Sequence, residues 1–252
     1  MTSTTAYCGT RGSELSGQTI VVIGGSSGIG LETARLAGTA GASVILAARN
    51  QERLKRAAAE VGAERTAGLD ATDAQALERF FAGLSEPIDH VMVTGLGPYR
   101  APLAELDHAR AVRDFDAHVW LPIAVAQHAV GRVRPGGSLV FMGRTGGRQR
   151  GPGMSLFGAV TAALPALIAN LAVEVAPIRV NLIAPGFVDT PLAAALLGSH
   201  LEARREQLRA TLPVHRVVSP ADVAALAVHT MINPVITGAT YDIDGGQQFV
   251  SP

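Results

Sequence analysis

Short apolar runs alternate with amphipathic stretches along this chain of 252 residues. The runs are rich in Val, Ile, Leu and Ala and have the length of buried strands, whereas the stretches between them repeat apolar residues at helical spacing. The predicted strands cover residues 18–23, 43–48, 65–70, 89–95, 135–143, 178–186 and 239–246. The predicted helices cover residues 31–41, 51–62, 74–84, 107–133 and 155–175, with a helical insertion at 190–213.

This alternation predicts an α/β fold. Strands that alternate with helices are joined by right-handed crossovers and form a parallel sheet. We therefore expect a doubly wound, parallel seven-stranded sheet with helices on both faces, of the Rossmann type, in a single domain over residues 1–252. Residues 1–16 are expected to form a flexible N-terminal extension, and residues 190–213 a lid over the substrate.

Composition and charge narrow the range of partners. The 21 basic residues equal the 21 acidic ones in number, so no overall field favours nucleic acid or an anionic membrane surface. Cys8 is the only cysteine, and the first residues lack the basic start and apolar core of a signal peptide. The longest apolar stretch, residues 157–173, is interrupted by Pro165 and Asn170. We expect a cytoplasmic protein that binds no nucleic acid, no membrane and no metal ion.

A glycine-rich turn joins the first predicted strand to the first predicted helix. Backbone N–H groups in such a turn bind a diphosphate that a Cβ would obstruct, and the helix N-terminus adds positive potential. The position between strand and helix favours a dinucleotide site over a turn that is merely tight. The residues expected to contact the cofactor here are Gly24, Ser26, Ser27, Gly28, Ile29 and Gly30.

The end of the second predicted strand indicates which dinucleotide binds. This strand ends with Ala47, Ala48, Arg49 and Asn50, so it offers no carboxylate to the 2′-hydroxyl of the adenosine ribose. The guanidinium of Arg49 is suited to a bidentate contact with a 2′-phosphate. We therefore expect NADP(H) rather than NAD(H), with Arg49 and Asn50 as contacts. The alternative is that Arg49 is only a solvated charge.

The chain resembles the short-chain dehydrogenase/reductase family over nearly its whole length. The family's Thr-Gly-x-x-x-Gly-x-Gly motif matches residues 23–30, with Ile23 in place of Thr, and the segments at 68–73, 179–192 and 236–247 are also typical. The resemblance implies a homodimer or homotetramer that acts on a small-molecule substrate. It also implies cofactor contacts from Asp70, Ala71, Thr94, Gly95, Pro185, Gly186, Val188 and Thr190.

The catalytic residues of that family are missing from this sequence. Alignment with the family's Tyr-x-x-x-Lys pair places Phe157 at the tyrosine position and Thr161 at the lysine position. The family's serine falls on Arg144, and its helix asparagine falls on His118. The whole chain contains one lysine, Lys55, in the helix expected near the adenosine end. The family's usual proton transfer therefore has no counterpart here.

Other polar residues are candidates for chemistry. His118 is a proton donor by type, or else a helix histidine whose nitrogens are satisfied by backbone or water. Arg144 suits an oxyanion or a substrate carboxylate, or else is a surface arginine of the loop that also carries Arg148 and Arg150. Tyr99 follows the fourth predicted strand at the edge where ligands bind, or else is an exposed lid aromatic.

Three functions agree with this sequence. The leading hypothesis is an NADP(H)-dependent oxidoreductase with an atypical active site, which transfers hydride to a small apolar carbonyl, imine or conjugated acceptor. The alternative is a non-catalytic NADP(H)-binding pseudoenzyme that acts as a sensor or a partner subunit. A third hypothesis is a cofactor-assisted isomerase or cyclase that uses His118 or Arg144.

Overall fold

A computed structural model of the protein describes residues 14–84, 87–95, 97 and 99–250. Cys8, Leu96, Pro98 and most of the expected N-terminal extension, residues 1–13, lie outside the described residues. The expectation of a flexible extension is wrong for Leu15. Its side chain is fully buried, and its backbone N–H donates to the carbonyl of Ala40 at 3.0 Å.

Seven parallel strands form one sheet, which confirms the predicted architecture. The strands lie in the order β3-β2-β1-β4-β5-β6-β7, and each neighbouring pair is parallel. They are β1 Thr19–Ile23, β2 Ser43–Ala48, β3 Arg65–Gly68, β4 Ile88–Val93, β5 Val133–Met142, β6 Arg179–Pro185 and β7 Thr240–Ile243. The strand order reverses between β1 and β4, because β2 and β3 lie on one side of β1 and the later strands on the other, and this is where such folds bind ligands.

Helices cover both faces of the sheet, as expected. Within the described residues they are α1 Gly28–Thr39, α2 Gln51–Val61, α3 Ala74–Ala82, α4 His108–Phe115, α5 Leu121–Ala129, α6 Ser155–Glu174, α7 Pro191–Leu197, α8 Leu201–Thr211 and α9 Pro220–Ile232. Side chains alternate between the two faces along each strand. One core cluster contains buried residues of α3, α5 and α6, and the other contains those of α1, α2 and α9.

The helix predicted over residues 107–133 is interrupted. One turn of π-helix, Asp116–Trp120, separates α4 from α5, and β5 already begins at Val133. Pro122 lies in the first turn of α5 and has no N–H to offer the carbonyl of His118, four residues earlier. This proline explains the local change in hydrogen bonding, and π-turns of this kind often occur at functional sites.

The sequence analysis missed α9. Its N-terminus carries a reciprocal capping box, in which Ser219 accepts from the N–H of Asp222 and Asp222 accepts from the N–H of Ser219. The Ser-x-x-Asp spacing before an apolar run was the available signal. Val223 and Ala227 are fully buried, and α9 packs against α1.

Two other segments agree with the predictions in part. The segment 190–213 is helical, with α7 and α8 joined by a single turn at Gly198–His200. In α6, Pro165 lies inside a helix that continues across it, with Leu164 and Ile168 buried in the core. Among the described helices, α6 is long and apolar enough to cross a membrane, but Leu164, Ile168 and Leu171 pack it into the core beside the sheet.

The sheet contains a buried histidine, His90, whose protonation would affect the stability of the fold. His90 on β4 is 3% exposed, and its Nδ1 and Nε2 lie 2.8 Å from Ser138 Oγ and 2.7 Å from Gln18 Oε1. Burial, together with the charge of Arg179, lowers the pKa of His90 to about 4, although Asp89 opposes this effect. The native state therefore holds this side chain neutral.

We predict that His90 contributes to acid unfolding. Because its pKa is lower in the folded chain than in the unfolded one, its contribution is complete above about pH 6.5 and is lost as the pH falls toward 4. This effect amounts to about 3 kcal/mol at most. The free energy of unfolding from urea titrations at pH 7 and pH 4 should therefore fall less in His90→Gln than in the wild type, whereas His200→Gln, an exposed control, should follow the wild type. Equal losses in all three proteins would contradict the prediction.

Candidate active site

Close backbone contacts explain the glycines of the turn after β1. Gly24 has a φ of +85°, and a Cβ on it would lie 2.3 Å from the carbonyl oxygen of Thr94. A Cβ on Gly30 would lie 2.4 Å from the carbonyl oxygen of Gly24. Either added methyl group would push α1 away from the ends of β1 and β4. The glycines therefore allow the helix N-terminus to approach the edge of the sheet.

The N-terminus of α1 is open to an anion. Its N-cap residue, Ser27, makes no side-chain capping hydrogen bond, and no acidic residue occupies the first turn. The first backbone N–H groups of a helix have no partner within the helix, and the helix dipole adds positive potential there. The turn thus has the donors and the charge that a diphosphate requires.

A cleft of about 710 Å³ extends from this turn across the ends of β4, β5 and β6. It is lined by most residues expected to hold the cofactor: Gly24, Ser27, Gly28, Ile29, Thr94, Gly95, Pro185, Gly186, Val188 and Thr190. Ser26 and Gly30 belong to the turn but do not line the cleft. Arg49 and Asn50 follow β2, the neighbour of β1, and Asp70 and Ala71 follow β3, the neighbour of β2. These four residues do not line the cleft.

The residues after β2 and β3 form a charged, exposed edge. Arg49 and Asn50 are exposed, and the Asn50 side chain caps α2 by accepting from the N–H of Arg53 at 2.8 Å. Burial raises the pKa of Asp70, but hydrogen bonds from Thr72 and the charge of Arg49 outweigh it, so the pKa lies below its ordinary value. Asp70 is therefore ionised near the guanidinium of Arg49 at neutral pH.

The segment after β6 is held against the C-terminal turn. A Cβ on Gly186 would lie 2.5 Å from Gln247 Oε1, and the same oxygen accepts from the N–H of Phe187 at 2.7 Å. Thr190 caps α7 by accepting from the N–H of Ala193 at 3.1 Å. These contacts fix the wall of the cleft opposite α1.

His118, Arg144 and Asp114 form a buried polar cluster in the wall. The π-turn aims the His118 ring at the loop after β5, where an Nη2–H of Arg144 donates to Nε2 of His118. Nδ1 of His118 donates to the backbone carbonyl of Asp114 at 2.7 Å, and an Asp114 carboxylate oxygen lies 3.6 Å from the same nitrogen. Both ring nitrogens are therefore engaged, as in a neutral imidazole.

The pKa values of this cluster follow from its burial. Burial and the charge of Arg144 lower the pKa of His118, against the opposing effect of Asp114. Burial also lowers the pKa of Arg144 to about 10, with Asp114 opposing and Arg100 assisting the change. Arg144 therefore carries its charge at neutral pH beside an uncharged His118. Its Nη1 is buried with no hydrogen-bond partner among the described residues.

Phe157 forms part of the wall beneath two guanidinium groups. Its side chain is 2% exposed, and its ring centroid lies 4.2 Å from Cζ of Arg100 and 5.0 Å from Cζ of Arg144. Contacts of this kind are attractive because the ring face is electron-rich. Phe157 therefore supports two cations at the position where sequence alignment expects a tyrosine.

Tyr99 lies outside the cleft. It is 6% exposed rather than an exposed lid aromatic, and its hydroxyl accepts from the N–H of Asp107 at 2.9 Å. Its ring contacts the guanidinium of Arg110 at 4.4 Å. The position of Tyr99 thus does not support a catalytic role. Its side chain holds the start of α4 instead.

Three cleft arginines were not predicted from the sequence: Arg100, Arg110 and Arg204. Arg100 follows β4, and Arg204 lies on α8, about a hundred residues later in the chain. Both line the cleft together with Arg110 and Arg144. Only the folded chain brings these separate segments together. The available signal was weak, since the position of Arg100 after a predicted strand is shared by many surface residues.

Comparisons with known proteins agree with this geometry. A family model described as enoyl-(acyl carrier protein) reductase matches residues 23–248. The chain belongs to the short-chain dehydrogenase/reductase family. The human 3-oxoacyl-[acyl-carrier-protein] reductase is 30% identical over 237 residues, which cover 91% of this chain and 97% of the relative.

Solved structures of the family share the fold. The MalC reductase/Diels-Alderase from Malbranchea aurantiaca superposes with a TM-score of 0.85 at 27% identity, covering 95% of this chain and 100% of the other. BdcA in complex with NADPH gives a TM-score of 0.81 at 27% identity, covering 93% and 96% of the two chains.

The side chain at position 161 is packed closely against the loop that follows β5. The Thr161 side chain is buried, and its hydroxyl donates to the carbonyl of Phe157 at 2.8 Å. The loop at Gly146–Arg148 packs on it so closely that a Cβ on Gly147 would lie 1.9 Å from Thr161 Oγ1. Thr161 does not line the cleft.

We predict that Thr161→Lys destabilises the fold. The longer, charged side chain has to displace the Gly147 loop or remain buried, at a cost of about 2 kcal/mol or more. Ala162→Lys, at the next and exposed position of α6, should change the free energy of unfolding by less than about 0.5 kcal/mol. Urea unfolding of both variants checks the prediction. A Thr161→Lys protein as stable as the wild type would show that the loop moves aside readily.

Proposed function

We propose that this protein is an NADP(H)-dependent oxidoreductase whose active site uses Arg144 in place of the family's tyrosine and lysine. The proposed reaction is hydride transfer to a small carbonyl, imine or conjugated acceptor. One observation carries the proposal: a single cleft joins the anion-binding turn at α1 to the buried cluster of Arg144, His118 and Phe157.

The residues of the cleft fit NADP(H). The approach of α1 to the sheet would be blocked by a Cβ at Gly24 or Gly30, and the helix N-terminus offers free donors to a diphosphate. Arg49 is exposed after β2, and its guanidinium suits a 2′-phosphate. BdcA, a neighbour in structure, binds NADPH. When bound, the cofactor supplies the hydride.

Arg144 is the proposed catalytic residue. Its unpartnered Nη1 is available to donate to an oxygen that gains negative charge as the hydride is transferred. Its high pKa keeps the guanidinium charged, so it stabilises an oxyanion rather than giving up its proton. No tyrosine, lysine, cysteine or carboxylate is found among the described residues that line the cleft. The proton that completes reduction of a carbonyl therefore comes from water, and an iminium acceptor requires none.

His118 is the proposed positioning residue. Its Nε2 accepts from Arg144, and its Nδ1–H is fixed by the Asp114 carbonyl. These two hydrogen bonds orient the guanidinium and leave no free N–H for the substrate. We therefore propose that His118 does not donate the proton, as the sequence suggested, but acts indirectly by orienting Arg144.

We also propose that the protein forms homodimers or homotetramers, as the resemblance to the family implied. Val112 and Phe115 on α4 and Trp120 in the π-turn are exposed, the last at 58%. Apolar side chains exposed together favour an interface between copies of the chain.

We expect Arg49→Gln to change the cofactor preference. A charged hydrogen bond contributes about 1.5–3 kcal/mol, so the affinity for NADPH should fall about tenfold to a hundredfold, whereas the affinity for NADH should stay unchanged. Arg56→Gln, an exposed control on α2, should bind both nucleotides like the wild type. Calorimetric titrations give these affinities. An equal loss for both nucleotides would argue against a 2′-phosphate contact.

We expect deuteride from labelled NADPH to appear in the product of a carbonyl, imine or enone acceptor. Arg144→Met should slow this transfer about a hundredfold and leave NADPH affinity within about twofold, because one oxyanion contact is lost. Arg150→Met, in the same loop but outside the cleft, should transfer deuteride at the wild-type rate. Single-turnover measurements separate this step from binding.

The pH dependence separates Arg144 from His118 as the reacting group. With Arg144 the transfer rate should stay constant from about pH 6 to 9, because the guanidinium remains charged below its pKa of about 10. If His118 were the acid, the rate would already fall with rising pH in this range, since its pKa is lowered. Binding of NADPH without transfer to any acceptor would instead favour the non-catalytic sensor or partner subunit.

A further inference from the structure

The cleft carries an excess of positive charge that hydride transfer does not require. Its charged lining residues are all arginines: Arg100, Arg110, Arg144 and Arg204. No acidic side chain lines it within the described part of the chain. Asp114 is the carboxylate that faces the cluster, from behind His118, and one of its oxygens already accepts from the N–H of Tyr99 at 3.1 Å.

Within the described residues, six arginines outside the cleft have a carboxylate partner: Arg35, Arg134, Arg148, Arg205, Arg209 and Arg216. Arg205 pairs with Asp189 and Glu202, whereas Arg204, its neighbour on α8, contacts only the amide oxygen of Gln207 at 2.7 Å. Among the described residues, Arg100, Arg144 and Arg204 have no ion-pair partner.

These three arginines differ in how deeply they are buried. Arg144 is largely buried, whereas Arg100 is exposed and Arg204 is half-buried. Arg100 and Arg144 both contact the Phe157 ring, which brings both guanidinium groups to the same part of the cleft. Arg100 and Arg204 line the same cleft, and the charge of Arg204 assists burial in lowering the pKa of Arg100. Leu121, Leu192 and Leu196 add apolar lining to the same cleft.

We propose that the substrate carries an anionic group, a carboxylate or a phosphate, which binds between Arg100 and Arg204 while Arg144 contacts the reacting oxygen. Like charges left unpaired in a narrow cleft repel one another, and an anion between them removes that repulsion and gains charged hydrogen bonds. The leucines accept an apolar body, so the substrate class is a small oxo or enone acid with a hydrocarbon portion. This inference rests on the proposed function, because it names the substrate of that same site.

Binding of the anion would also explain how the segment 190–213 acts as a lid. Arg204 belongs to α8 in that segment, and Arg100 belongs to the chain after β4. An anion bound by both arginines links the helical segment to the edge of the sheet. The bound substrate thereby holds the cover over its own site.

The test compares an oxo acid with its uncharged ester and uses inorganic phosphate as a second anion. Calorimetric titrations with 4-oxopentanoate, its methyl ester and inorganic phosphate are run with and without saturating NADP⁺, on the wild type and on Arg100→Gln and Arg204→Gln. The control is Arg209→Gln, an exposed position on α8 outside the cleft. We expect the wild type to bind the oxo acid at least tenfold more tightly than the ester. Each cleft variant should lose most of this preference, and the control should keep it.

The outcomes separate this inference from the proposed function. Equal binding of acid and ester, no binding of any of the three at millimolar concentration, or an equal loss in Arg209→Gln would overturn the anion site. Preferred binding of phosphate over the oxo acid would support the anion site and assign it to phosphate esters. Deuteride transfer to the ester as fast as to the acid would leave the oxidoreductase in place and remove the anion site. Acid-selective binding without deuteride transfer to any acceptor would do the reverse.

Discussion

The close approach of α1 to the ends of β1 and β4 is the constraint on which the site depends. It requires backbone without a Cβ at Gly24 and Gly30, where an added methyl group would lie 2.3 and 2.4 Å from carbonyl oxygens. The strand order reverses at the same place, so the crevice opens there and the first N–H groups of α1 point into it. The cleft that opens here is also lined by the guanidinium groups of Arg100 and Arg144 and by residues of α7 and α8.

At the other end of the cleft, the residues with which the family transfers a proton are absent, and arginines provide a permanent positive charge instead. Phe157 supports two guanidinium groups where the alignment places a tyrosine, and the loop at Gly147 fills the space next to Thr161. In the proposed reaction Arg144, held by a neutral His118, stabilises negative charge, and its guanidinium stays charged near neutral pH. Such a site suits acceptors whose reduction is limited by developing charge and not by the delivery of a proton.

The sequence was sufficient to predict the fold and many of the residues that line the cleft near α1. Strand periodicity and the glycine turn depend on local chemistry, which short segments encode. The arginine cluster could not be read in this way, because Arg100 and Arg204 are far apart in the chain and meet only through the folding of α8 over the sheet edge. The burial of Tyr99 and the interruption at Asp116–Trp120 also depend on tertiary packing, although Pro122 was a local sign of the latter.

The central claim is that one cleft holds a dinucleotide and presents its reactive end to Arg144. A crystal structure of the protein with NADP⁺ tests it most directly. We expect the diphosphate on the N-terminus of α1, the 2′-phosphate beside Arg49 and the nicotinamide in the part of the cleft that Arg144 and Phe157 line. A nicotinamide directed away from Arg144, or a cleft with no nucleotide bound at millimolar NADP⁺, would contradict the account.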